Sequence, residues 1–127
     1  AKCGAMKKSF KKIICFDLDD VICTTTKKNY FFSKPKVKVI KKINELYNKG
    51  FYIKIFTARF MGRNNEKIFK AKKQGYKKTL NQLKRWNLRF HKLIFGKPSY
   101  DLFIDDKSIF FDKNWYKKIN KVLKINE

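Results

Sequence analysis

The chain has 127 residues, of which 43% are apolar and thirteen are Phe. That is enough for one globular domain with a packed core and too few for two, and it excludes a disordered chain. The formal charge of +23 arises from 33 basic against 10 acidic residues. Only four of the basic residues are Arg, and the Lys excess is spread along the whole chain. This argues against sequence-specific nucleic-acid recognition, which favours clustered Arg forks, though polyanions will be attracted non-specifically at low salt. A compositional bias accounts for such a spread equally well.

No apolar run approaches the ~20 residues of a membrane span. Lys7, Lys8, Lys11 and Lys12 lead straight into a short strand, which is not a signal-peptide layout, so the expectation is a cytoplasmic protein. Residues 1–6 read as a disordered or expression-derived N-terminus ahead of a natural start at Met6. Three cysteines without CxxC spacing argue against a zinc site or a disulfide framework. Cys15 and Cys23 are expected to be packing thiols.

In chain order, Ile13 to Phe16 is a run of four apolar residues, the pattern of a short strand buried on both faces. It stops in Asp17, Asp19 and Asp20. Buried, unpartnered carboxylates are prohibitively unfavourable, so these acids belong at the strand's exit, facing a cation or solvent. In an open parallel sheet that is the end where ligands bind. Val21 to Lys28 reads as a small hairpin flap, and Tyr30 to Pro35 as a loop. Val37, Ile40, Ile43, Leu46 and Tyr47 recur at helical spacing, with Gly50 as the stop. A second strand, Phe51 to Phe56, ends in Thr57 and a loop carrying Arg59 and Arg63. A helix is expected from about Asn64 or Asn65, broken at Gly75, with a second segment from Tyr76 to Trp86. Lys92 to Phe95 and Leu102 to Ile104 read as further strands. The latter follows Gly96-Lys97-Pro98 and ends in Asp105-Asp106. Trp115 to Ile125 reads as a final amphipathic helix. The alternation implies a parallel sheet covered on both faces, with right-handed crossovers.

Four features recur in order at strand ends: the DxD of Asp17 and Asp19, then Thr57, Lys97 and the acidic pair Asp105-Asp106. In this the chain resembles the haloacid dehalogenase superfamily over most of its length, Ile13 to Asp106. The resemblance implies a Rossmann-like three-layer α/β/α core with a mostly parallel sheet. Only positions 21–56 and 58–96 lie between the motifs, and their elements leave no room for a large cap domain. Asp17 would be the nucleophile, forming an aspartyl-phosphate. Asp19 would act as general acid and then base, and would coordinate metal through its backbone carbonyl. Thr57 would bind a phosphate oxygen, and Lys97 would neutralise the nucleophile and the transferring group. Asp105 would bind the metal with Asp17 and Asp19, while Asp106 would bind a metal water or pair with Lys97, the direct ligand of the last two being left open. If the strand ends converge, the repulsion between the carboxylates suits a hard divalent cation, Mg²⁺. Asp20 stands where many members carry Gly.

The segments around Tyr30 to Pro35, Ile43-Asn44, Thr57 to Arg59, Gln82-Leu83 and His91 to Pro98 also resemble a narrower group. These are small capless hydrolases associated with capsular and surface-polysaccharide biosynthesis. The implied activity is Mg²⁺-dependent hydrolysis of a small phosphorylated sugar, polyol or amino-alcohol, with Arg59 and Arg63 as substrate contacts. An uncapped site accepts a large substrate or borrows a lid, for which a homo-oligomer is one source. The competing readings are a phosphatase for nucleic-acid ends or a phosphoprotein, and a non-catalytic polyanion-binding module. His91, Trp86 and Trp115 are expected to be structural.

Overall fold

The computed structural model describes residues 10–126, so the expectation for residues 1–6 falls outside it. The element order is β1 (Ile13–Asp17), β2 (Cys23–Thr24), β3 (Lys34–Pro35), α1 (Val37–Asn48), β4 (Tyr52–Thr57), α2 (Ile68–Arg85), β5 (Lys92–Phe95) and α3 (Trp115–Leu123). Short 3-10 turns at Tyr30–Phe32 and Gly62–Asn64 punctuate the loops.

β1, β4 and β5 form a parallel sheet in that order, with Ile14 beside Ile53, Phe16 beside Ile55, and Ile55 beside Leu93. Paired residues on neighbouring strands share a face. Ile53, Ile55, Leu93 and Phe95 are buried on one face and join Ile43 and Leu46 of α1, Leu83 of α2, and Trp115 and Ile119 of α3 in one core. Each fully buried aliphatic side chain of this kind contributes roughly 1.5–3 kcal/mol. The result is a Rossmann-like α/β core without a cap domain. Two successive right-handed crossovers in the same direction place α1 and α2 on the same side of the sheet. The second covering layer is not supplied by the described residues. On that other face Ile13 is 64% exposed, and Cys15 is exposed rather than a core thiol.

β2 and β3 pair antiparallel, so the flap runs from Cys23 to Pro35 and takes in the end of the segment expected to be a separate loop, instead of closing within Val21 to Lys28. His91 is structural as expected. Its Nδ1 accepts the Ile53 N–H at 3.0 Å, and its ring stacks on Tyr47 and Tyr52.

Further expectations fail. α2 is continuous through Gly75, because the ring of Phe60 lies where a Cβ would stand, 2.1 Å from its Cε2. That glycine serves close approach and does not end the helix. Leu102 to Ile104 is irregular and solvent-exposed, so the fourth strand does not form.

Candidate active site

The C-terminal ends of β1 and β4, the flap and the turn after β5 surround an open cleft of about 660 Å³. Asp17, Asp19, Asp20, Lys97, Tyr100 and Asp101 are among its lining residues. β1 carries Asp17 out of the core, and Oδ1 accepts the Leu18 N–H at 2.8 Å. Oδ2 lies 3.4 Å from Lys97 Nζ. The turn after β5 is pinned by the Lys97 N–H, which donates to the Thr57 carbonyl at 3.2 Å. Burial holds the Asp17 carboxyl above its ordinary value, outweighing the attraction of Lys97 and the Leu18 amide. Burial works against the Lys97 ammonium, but the Tyr100 phenol and Asp17 outweigh it, and its pKa lies above the usual lysine value.

Asp19 is gripped from beneath. Arg59 Nε donates to its Oδ1 at 3.2 Å and Oδ2 at 3.0 Å, and Nη2 donates to Oδ1 at 2.9 Å. The Thr25 hydroxyl donates to the same Oδ1, with the Cys23 thiol 3.5 Å away. Oδ2 is thus the less saturated oxygen. Arg59 is only 1% exposed, and its far nitrogen donates to Gln82 Oε1 at 2.6 Å and Thr79 Oγ1 at 3.3 Å. Gln82 in turn donates to the Tyr30 carbonyl at 2.9 Å. A buried guanidinium is tolerable only with such partners. Arg59 is therefore not a substrate contact, as expected from the sequence, but the residue that holds Asp19. The signal for this lay in Thr79 and Gln82, two polar residues at buried positions on one face of α2.

Arg63 lies outside the cleft lining, over the Phe60 and Tyr30 rings and 3.4 Å from the Lys28 carbonyl, with Tyr30 and Lys28 themselves in the wall. Thr57 is buried, and its Oγ1 accepts the Arg59 N–H at 3.1 Å. Asp20 adopts φ 66°, the left-handed conformation that glycine takes freely and Asp tolerates. Its Oδ1 also accepts the Thr25 N–H at 3.3 Å, which holds the turn.

Asp105 and Asp106 do not join Asp17. Both are exposed and outside the cleft, and Asp105 caps its own turn through the Lys107 N–H at 3.3 Å. The acid that does reach the cleft from this segment is Asp101, which sequence reasoning passed over although it follows Lys97 within the same short turn. Among the described residues, no three His, Cys, Asp or Glu side chains come together to hold a metal ion. The set assigned to Mg²⁺ (Asp17, Asp19, Asp105 and Asp106) is therefore not assembled. Among the described residues, no helix is long and apolar enough to cross a membrane.

No family model matches the chain, and no curated protein matches it significantly. Among solved structures it is similar to a crystallised target protein from Vibrio cholerae. Identity is 21% and the TM-score 0.75, over 89% of this chain and 97% of that one. It is also similar to a chain of a Pnkp1/Rnl/Hen1 complex, with 14% identity and a TM-score of 0.51, over 93% of this chain but 36% of the other. At these identities the likeness is one of fold, and the fold shared with the Vibrio protein spans nearly the whole of both chains.

Proposed function

We propose that this chain is a phosphomonoesterase of the haloacid dehalogenase type that hydrolyses a small phosphorylated metabolite through an aspartyl-phosphate on Asp17. The observation that carries the reading is the placement of Asp17. It stands at a strand exit in an open cleft, 3.4 Å from Lys97, with Asp19 clamped two residues on.

A carboxylate oxygen of Asp17 attacks phosphorus, and the bond from phosphorus to the ester oxygen breaks. Burial makes this carboxylate more basic than an exposed one, which strengthens it as a nucleophile once ionised. Lys97 offsets charge on the transferring group. Asp19 donates its proton to the leaving alkoxide, then takes one from the water that attacks the acyl-phosphate, freeing Asp17 and inorganic phosphate. Thr57 keeps a hydroxyl proton, since its Oγ1 accepts from Arg59, but it is buried and absent from the cleft lining, so no phosphate contact is assigned to it.

Mg²⁺ belongs to this reading through the resemblance and through the charge that phosphoryl transfer must neutralise. Its expected ligands stand apart, so none of these steps is routed through it. Asp20 and Asp101 at the cleft wall suit a leaving group bearing hydroxyls or an amine better than a second phosphate. That fits a sugar, polyol or amino-alcohol phosphate, such as a precursor of capsular or surface polysaccharide.

The test is turnover of p-nitrophenyl phosphate with Mg²⁺ and with EDTA, for the native chain and Asp17→Asn. A panel of phosphorylated metabolites and 3′- and 5′-phosphorylated oligonucleotides follows. Mg²⁺-dependent turnover that Asp17→Asn abolishes supports the reading. Absence of turnover on every substrate ends it, and preference for oligonucleotide ends moves the substrate to nucleic acid.

A further inference from the structure

The sheet face opposite the core carries Ile13 and Cys15 from β1, Tyr52, Lys54 and Phe56 from β4, and Lys92 and Ile94 from β5. All are exposed or half-buried. The register sets Cys15, Lys54 and Lys92 in one row across the three strands. Adjacent strands lie ~4.8 Å apart, so two like charges stand side by side, an arrangement that destabilises a sheet unless an anion bridges them. Lys12 joins this pair around a groove of about 420 Å³ whose other lining residues are Phe10, Ile13 and Tyr52. None of its lining residues is acidic. Three cations thus surround an apolar, partly aromatic floor. A second copy is a poor occupant, because it would set the same lysines against themselves on chains of +23 each. A ligand with repeated negative charges and flat apolar groups complements both features at once.

We infer that this sheet face, which no other described element covers, binds single-stranded nucleic acid without sequence preference, with phosphates at Lys12, Lys54 and Lys92 and bases against Ile13 and Tyr52. Binding here is independent of the phosphatase reading, since none of these residues takes part in that chemistry.

The test is fluorescence anisotropy of a labelled twelve-nucleotide oligouridine titrated with the full chain at 150 mM salt. Lys54→Glu/Lys92→Glu is compared with Lys38→Glu/Lys41→Glu, an equal charge change on the exposed side of α1. At least tenfold weaker binding is expected for the first pair and less than threefold for the second. The neutral pair Lys54→Gln/Lys92→Gln, checked for folding by circular dichroism, should lower the slope of log affinity against log salt by about 1.4, the value for two lost single-strand phosphate contacts. Oligouridine should also slow alkylation of the exposed Cys15, read by peptide mass spectrometry. Three outcomes overturn the inference: no binding at 150 mM salt, equal loss in both charge-reversal pairs, or a dimer in sedimentation that the Lys54/Lys92 change dissociates.

Discussion

Asp17 is a carboxylate that the fold holds at the expense of its own solvation. Its pKa lies above the ordinary 3.8 because burial outweighs Lys97, so the native state binds this proton more tightly than the unfolded chain does. The contribution to stability is fully present below about pH 3.8 and is lost as pH rises through the raised value. Asp17→Asn should therefore abolish turnover yet raise the melting temperature at pH 7, with the gain vanishing below pH 3.8. An unchanged or lower melting temperature at pH 7 would contradict this balance. For Asp19 the relevant partner is Arg59, whose planar fork a lysine cannot reproduce. Arg59→Lys should lower kcat at least tenfold while KM for p-nitrophenyl phosphate stays within threefold, because it loosens the acid without touching substrate. A rise in KM at constant kcat would restore Arg59 to substrate binding. The placement of Asp17 and Lys97 at the cleft was legible in sequence because a strand has a definite exit. Whether Arg59 pointed into the cleft or beneath Asp19 was not, since that depends on what α2 offers its guanidinium.

Elements with clear apolar patterns were legible in place and type: α1 and α3 lie where helical spacing put them, and β1 and β5 where short apolar runs did, although β1 is buried on one face and not both. The failures occur where a local signal was overruled by packing. Gly75 carries the mark of a helix break, yet it lies mid-helix against Phe60, which is itself held at φ 66°. The same ring stacks on Phe31 at 5.9 Å and meets Tyr30 edge to face at 4.9 Å. A methyl group at Gly75 would push this flap cluster, whose member Tyr30 lines the cleft. Gly75→Ala gains about 1 kcal/mol of helix propensity but overpacks the site, an effect of roughly 1–3 kcal/mol. The expected outcome is a lower urea midpoint, recovered when Phe60→Ala removes the ring. A midpoint that rises in the single variant would show that Phe60 yields freely.

Across the whole molecule, the parallel order and the position of the cleft follow from strand-helix alternation and crossover handedness. The acids of the last motif do not, because nothing local decides whether Leu102 to Ile104 pairs. Leu102 and Ile104 are 77% and 88% exposed. The segment that carries them leaves Lys97, paired to Asp17, and rejoins the core at Trp115, whose ring meets Phe16 at 6.2 Å. Both anchors therefore lie on β1, the outer strand of the sheet. An apolar, β-prone run tethered at both ends beside an edge that no described strand pairs is a standing invitation to strand addition. Mg²⁺, which the proposal takes from the resemblance, would also need more carboxylate ligands beside Asp17 than come together among the described residues. The expected outcome is that Mg²⁺ with orthovanadate slows amide hydrogen exchange across 102–106, and that Asp105→Asn lowers turnover at least tenfold with little change in melting temperature. If those amides exchange equally fast with and without both additions, and Asp105→Asn keeps full turnover, this segment stays outside the site. The cleft would then have to work with Asp17, Asp19, Asp20 and Asp101 alone.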